Sequence, residues 1–351
     1  MTDESNQEAG AGEVGYMLFF LGRRLVFLIF VLIGVSLLTF VVSHLVPADP
    51  VALLLGHTAT PAQVSALRTN LGFDKPLPVQ YLIYMDHLLH GDFGQSLSSH
   101  RPVIDDVKDY FPATLELTLY AMAICLLVGI PLGVISACAK NRWPDQLVRL
   151  FSMAGIALPL FWLGLVLQVL VYGRLHFLPA SQRLDLMLTA PRHITGLYTL
   201  DSLLTGNWTT LLNSLEHIIL PAVTLAFASL ATVTRVTRAS MLESLSQDYI
   251  RTARAKGLSQ RVVVYRHALR NALIPTVTLM GLQVGNLLGG AFLVEIVFSW
   301  PGIGFYSVEA IRAFDYAAIM SITILIAIGY CLVNLVVDLL YGVLDPRISY
   351  G

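Results

Sequence analysis

Two short motifs in this sequence carry residue types that an enzyme could use. His87-Leu88-Leu89-His90 sets two imidazoles three residues apart, yet the Glu of a zinc-protease helix is missing between them. Gly94-Gln95-Ser96-Leu97-Ser98 begins like a nucleophile elbow and lacks its closing Gly. No Gly-x-x-x-x-Gly-Lys-Ser/Thr phosphate loop occurs, so ATP cannot be cradled by that device and no cofactor or metal is expected on this chain. Cys125, Cys138 and Cys331 lie in apolar stretches without paired or metal-type spacing and read as buried packing residues. Four carboxylates, Glu116, Glu216, Glu295 and Asp338, fall inside or at the margin of apolar runs. Glu295, just before a Ser-Trp-Pro-Gly turn, is either an outer-gate or substrate-amine contact or a headgroup-boundary residue. Asp338 is equally open, and Glu116 and Glu216 read as interfacial. Gln168, Gln283, Asn286 and Asn334 could line a water-filled path for a polar solute, or simply hydrogen-bond a neighbouring helix.

The elements that position these groups follow from composition. The chain is 56% hydrophobic and only 13% charged, with a mean hydropathy of +0.70, which describes a membrane protein. A net charge of -1 excludes a basic nucleic-acid binder, and the low charge density excludes an acidic solvating chain. Six stretches, 25–45, 113–139, 150–173, 212–234, 272–298 and 317–344, are apolar enough to cross hydrocarbon; a crossing needs about 20 residues. None alternates like a barrel strand, and an open strand cannot satisfy its backbone in lipid, so an all-α integral membrane fold with six transmembrane helices is expected. Residues 1–15 read as a short disordered tail, and 16–45 as the first membrane segment, an uncleaved anchor behind Arg23 and Arg24. An outside loop, 46–112, should form a cap of short helices around Pro61–Leu71 and Val79–Leu89; a core, 113–351, carries a cytoplasmic loop at 235–271. The second outside loop, 174–211, holds no readable motif.

Cations set the orientation. With the N-terminus inside, 14 of the 22 Lys and Arg residues fall on cytoplasmic segments, eight of them between Arg235 and Arg270, so both termini are expected in the cytoplasm. The 235–271 loop reads as two short helices meeting at Gly257. The first runs from Glu243 to Lys256 with Leu245, Tyr249, Ile250 and Ala253 at helical spacing, and the second is capped by Ser259 and runs to Arg270. Gly281, Gly285, Gly289 and Gly290 repeat at helix-packing intervals.

The run Arg251-Thr252-Ala253-Arg254-Ala255-Lys256-Gly257, followed by Leu258, resembles the coupling-loop signature of ATP-binding-cassette importer permeases. Further segments resemble the dipeptide and oligopeptide branch of that family. These are Asp248-Tyr249-Ile250, His267-Ala268-Leu269-Arg270-Asn271-Ala272, Phe298-Ser299-Trp300-Pro301-Gly302-Ile303-Gly304, Leu71-Gly72-Phe73-Asp74-Lys75-Pro76, Gly91-Asp92-Phe93-Gly94-Gln95-Ser96 and the run Val333–Gly342. The match extends from Met17 to Ile348. Arg251 stands where the general signature is acidic, and Arg270 stands where it has a Pro, as in the peptide branch.

The resemblance implies a type I importer permease in the inner membrane. Its implied partners are a second homologous permease, two ATPase subunits holding ATP and Mg, and a periplasmic or lipid-anchored binding protein. Ala253 and Ala255 would allow close approach, Gly257 would set the bend, and Arg251, Arg254 and Lys256 would contact the rim of an ATPase groove. The glycine run would face the permease dimer axis. Dipeptides are the implied cargo, with nickel, glutathione or longer oligopeptides as alternatives. Outside the family the competing classes are an intramembrane hydrolase and a proton-coupled carrier.

Overall fold

The computed structural model describes residues 22–24, 26–43, 60–70 and 74–344. In chain order the helices are α1 (Gly22–Ser43), α2 (Pro61–Asn70), α3 (Leu77–Leu89), α4 (Val103–Cys138), α5 (Trp143–Ala157) and α6 (Leu160–Arg174). They continue with α7 (Tyr198–Leu204), α8 (Trp208–Ser246), α9 (Asp248–Ala255), α10 (Gln260–Val297), α11 (Ile303–Arg312) and α12 (Tyr316–Leu344). Among the described residues all regular structure is helical. The tail 1–15, the end of the first segment at 44–45, Leu71 and the side chain of Asp338 lie outside what is described.

Five helices, α1, α4, α8, α10 and α12, are each long and apolar enough to span a membrane. The expected single span over 150–173 is instead two helices, α5 and α6, bent by 111°. Pro159 is the cause: it has no N–H to donate, and it drives Leu158 out of the helical region to φ -85, ψ 130. Counting six therefore requires the bent pair to act as one span. The other helices overrun their apolar cores. α4 starts at Val103 with Asp105 and Asp106 in its first turn, where carboxylates suit the helix dipole. α8 extends through 39 residues, ~58 Å at 1.5 Å per residue, about twice the thickness of the hydrocarbon.

The chain divides into two compact units, Val107–Val308 and Met1–Asp106 with Glu309–Gly351. In the second of these, Asp315 organises the loop before α4. Its Oδ2 accepts the Ser96 hydroxyl (2.6 Å) and the N–H groups of Leu97 (2.7 Å) and Ser98 (3.2 Å). Ser96, the candidate nucleophile, is thus buried and spent on a structural bond.

In Val107–Val308 α8 is the central rod, contacting α4, α5, α6 and α10. Its core joins Leu117 and Ala121 of α4, Leu225 and Val233 of α8, Leu287 and Val294 of α10, and Phe298 and Trp300 beyond it. α8 is approached closely at Gly133 of α4 and Gly155 of α5, where an added Cβ would stand 2.6 Å from Thr237 Cβ and 2.5 Å from Ala231 Cβ. In the run expected to pack, a Cβ added at Gly290 would stand 3.2 Å from Leu225 Cδ1, whereas one at Gly289 would meet open space. Cys125 is buried as expected, but Cys138 is exposed and Cys331 half-buried.

One end of this unit is tied by carboxylates. Glu116, expected at the interface, is only 2% exposed. It accepts Arg183 Nη2 on one oxygen and the Thr199 N–H (2.8 Å) and hydroxyl (2.7 Å) on the other. Arg183 also donates to Gly196 O (3.0 Å) and lies 3.6 Å over the Tyr198 ring. Glu216, by contrast, is exposed. Asp201 accepts the N–H groups of Ile194, Thr195 and Gly196 and the Thr195 hydroxyl. Burial opposes its charge, but these donors outweigh burial and hold its pKa below the ordinary Asp value.

Removing Glu116 leaves Arg183 buried without its counter-ion. Glu116→Ala should cost about 3–5 kcal/mol, read as a lower unfolding temperature of the purified protein, with Glu116→Gln losing less. Because the folded Asp201 carboxyl releases its proton at lower pH than in the unfolded chain, its stabilisation is complete above the ordinary Asp range and fades as pH falls through the lowered value. Hydrogen-exchange protection factors at Ile194–Gly196 should hold at neutral pH and decline below about pH 4. Asp201→Asn should show low protection throughout.

Candidate coupling site

The α8 helix stops at Ser246 because Gln247 turns extended, φ -75 and ψ 154. α9 then starts with Asp248, a carboxylate suited to the positive end of a helix. The expected start at Glu243 is therefore corrected: those residues continue α8. Only Ile250 (0% exposed) and Ala253 (6%) turn inward from α9. They pack with Val134 and Ala137 of α4, Met241 of α8, and Val263, Val264, Ala268 and Ala272 of α10. α9 is thus seated where three long helices meet. Ala253 uses its small side chain inside the fold, whereas Ala255 is exposed, with Arg251, Thr252, Arg254, Lys256, Gly257 and Leu258.

The end of α9 is a Schellman turn. Leu258 N bonds Ala253 O (3.3 Å) and Gly257 N bonds Arg254 O (3.0 Å) around Gly257 at φ +75. No atom lies within 4 Å of a Cβ built there, so the demand for Gly is conformational and not steric. The second short helix is not separate: from Gln260 it runs through a π turn at Val263–Ala268 into α10. Ser259 has extended N-cap backbone but makes no side-chain cap bond; only its carbonyl engages, accepting Val263 N at 3.1 Å. Asn271 Nδ2 donates to Tyr249 Oη (3.0 Å), joining α10 to the root of α9.

Beneath this turn lies a clamp that sequence reasoning missed. Asp145, fully buried on α5, accepts Arg238 of α8 in a two-pronged pair, Nε at 2.6 Å and Nη2 at 2.8 Å. Ser136 of α4 donates to the same carboxylate (2.6 Å), as does Asn141 N (2.9 Å). The α4–α5 turn is thereby locked to α8. Nothing at Asp145 signals this, since its partner is 93 positions away and reads only as one more cytoplasmic cation.

The polar path candidates separate. Gln168 donates to Ala180 O (2.8 Å) and Val297 O (3.0 Å), bridging α6, the following loop and α10. Gln283, nearly buried on α10, accepts Ser229 Oγ of α8 and Asn286 Nδ2, both at 3.1 Å. Asn286 itself is exposed, and Asn334 is half-buried on α12. Glu295 is 0% exposed. Its oxygens take the Thr114 hydroxyl (2.6 Å) and Phe305 N (3.0 Å), and an added Cβ at Gly302 would strike the carboxylate. The carboxylate is consumed in pinning the Ser-Trp-Pro-Gly turn onto α4, helped by Trp300 Nε1 donating to Ala113 O (2.9 Å). His87 and His90 each face their own neighbours, Asp92 at 3.4 Å and Asp86 O at 2.8 Å.

Residues 129–350 match the family model described as the binding-protein-dependent transport system inner membrane component, and residues 17–118 match its N-terminal model. A probable D,D-dipeptide transport system permease of Escherichia coli (strain K12) is 51% identical over 324 residues, 92% of this chain and 95% of the relative. A dipeptide transport system permease of Alkalihalophilus pseudofirmus is 45% identical over 338 residues, 95% of this chain and all of the relative. A glutathione transport system permease of Salmonella paratyphi A is 40% identical over 334 residues, again 95% of this chain and all of the relative. A clamped helix-and-turn whose basic face is left to water, in a bundle of membrane-length helices, accompanies matches over nearly the whole length: this chain belongs to the family of inner-membrane components of binding-protein-dependent transport systems.

Proposed function

We propose that this chain is one of two permeases of a type I ATP-binding-cassette importer for dipeptides and short peptides. In this reading α5 and α6 together make the sixth span, both termini are cytoplasmic, and α9 with its turn docks into an ATPase subunit. ATP and Mg are held by two such subunits, not by this chain, and a periplasmic or lipid-anchored binding protein delivers the cargo. The observation that carries the reading is α9 itself: two inward residues fix it to three long helices while Arg251, Arg254, Ala255, Lys256 and Leu258 stay exposed. A rigid seat and a free face are what a force-transmitting contact needs, since packed interfaces shift between discrete states and do not deform smoothly. Dipeptide cargo is supported by the names of the relatives at 45–51% identity. Glutathione remains the second reading, supported by the relative at 40%.

In the path, Asn286 is the polar candidate best placed to meet solute, being exposed beside the Gln283–Ser229 pair. Gln168 and Glu295 serve the frame around the path. Cargo is tested by titrating the cognate binding protein with dipeptides, longer peptides, glutathione and nickel, then measuring which loaded form stimulates ATP turnover of the reconstituted complex.

Two substitutions probe the coupling role. At φ +75 any L side chain costs about 1–2 kcal/mol, so Gly257→Leu should leave insertion and assembly intact yet reduce binding-protein-stimulated ATP hydrolysis at least tenfold. Unchanged stimulation would refute the role of the turn. Asp145→Ala, which strands the Arg238 guanidinium, should lower thermal stability by an amount matching about 3–5 kcal/mol and weaken the stimulation of hydrolysis more than the basal rate; equal losses in both would assign the clamp to folding alone.

A further inference from the structure

The loop after α6 is stitched to the helices around it. Gln168 of α6 donates to Ala180 O, Gln182 N donates to Phe298 O beyond α10 (2.9 Å), and Arg183 donates to Glu116 of α4. The link to α8 is His217, whose side chain is only 4% exposed. Its Nδ1 lies 2.9 Å from Ser181 O and 3.2 Å from Gln182 O, and its Nε2 lies 3.2 Å from Asp185 Oδ1. Asn213, one helical turn earlier on the same face, grips the same aspartate. Its Oδ1 accepts Asp185 N (3.0 Å), and its Nδ2 donates to Asp185 Oδ2 (2.6 Å).

These contacts fix a proton count. A backbone carbonyl can only accept, and a neutral imidazole has a single N–H to give. Asp185 Oδ2 is already committed as the acceptor for Asn213. Both ring contacts are therefore hydrogen bonds only when one proton beyond those of a neutral imidazole and a carboxylate sits between Nε2 and Oδ1. Without it, one ring nitrogen points a lone pair at an oxygen lone pair inside the fold. Histidine is the side chain whose ordinary charge change falls between about pH 5 and 8, and Asp185, 58% exposed, opens the pair to water. Other charged groups around this end of α8 are held elsewhere: Glu116 by Arg183, Asp201 by the N–H groups of Ile194, Thr195 and Gly196, and Glu295 by Thr114 and Phe305. Glu216 beside His217 on α8, Arg174 and His176 around the end of α6, and His193 before α7 are exposed.

We propose that Asp185 and His217 form a proton-operated latch. With its extra proton the pair holds the turn Asp185–Leu188 against α8; on losing that proton it releases the turn, while Ala180, Gln182 and Arg183 stay tied to the other helices. The turn is closed by Leu188 N on Asp185 O (3.0 Å) and carries Leu186 and Met187, 89% and 96% exposed. With Trp208 and Leu212 it walls a cleft of about 860 Å³. The latch thus makes the shape of this cleft depend on pH: closed on the acid side of the histidine range, loosened on the alkaline side.

The test is hydrogen exchange on the unaltered protein in lipid nanodiscs, where both faces meet one pH, from about pH 5 to pH 8 and corrected for intrinsic exchange rates. Protection of the Asp185 and Leu188 amides should be about fivefold lower at the alkaline end, and that of Gln182 should not change. Constant protection at Asp185 and Leu188 overturns the proposal, and so does a loss shared by Gln182, which would mean that the whole loop answers to another group. In His217→Gln and in Asp185→Asn, whose amide can donate or accept, the pH dependence should vanish; its persistence in both variants overturns the proposal. Should those variants fail to fold, the native cysteines are replaced and a bimane is attached at Met187→Cys, across the cleft from Trp208. Its quenching by the indole should be stronger at the acid end, and quenching that ignores pH overturns the latch.

Discussion

A carboxylate taken out of water costs several kcal/mol unless its oxygens are refilled by donors, and the fold is arranged around meeting that demand. Glu116, Asp145, Glu295 and Asp315 are each almost fully buried, and each is filled by groups from a distant part of the chain. Asp145, Glu295 and Asp315 sit at or beside a helix end, and Glu116, inside α4, holds the start of α7 through Thr199. The bundle interior between them is left to apolar and small side chains. Position is therefore fixed near helix ends chiefly by these carboxylates, while contact along the helices rests mainly on undirected packing, with the Ser229–Gln283 and Thr237–Thr276 bonds between α8 and α10 as buried exceptions.

This division explains what could and could not be read from the residues alone. Hydropathy reports the environment of a helix, so the apolar runs emerged with their approximate places. It is silent on where a helix ends in water, and so α8 runs through 39 residues where the apolar run covers only 212–234, and α9 starts at Asp248 and not at Glu243. The bend at Pro159 was legible in principle, because a proline restricts its predecessor whatever the surroundings. Glu116 and Asp145 were not, since a buried ion pair between residues 67 or 93 positions apart leaves no local pattern. Alone, Glu116 reads as an interfacial charge, and Asp145 carries no local signal at all.

The α9 segment, to which the coupling role is assigned by proposal, was more legible, for a local reason. Ile250 and Ala253 stand three apart, one helical turn, and are the two buried positions of α9. Their spacing already divides the helix into a seated and a free side, and Gly257 already requires a left-handed backbone. What spacing alone could not reveal was that the small side chain of Ala253 faces the membrane bundle and not the outside world.

From Ala222 to Ser246 α8 contains neither glycine nor proline, an unbroken length of ~38 Å. Pro221 is the one proline in the helix. Without a breaker at which to kink, that stretch is a stiff strut along which the elements packed on either side are held at a fixed spacing.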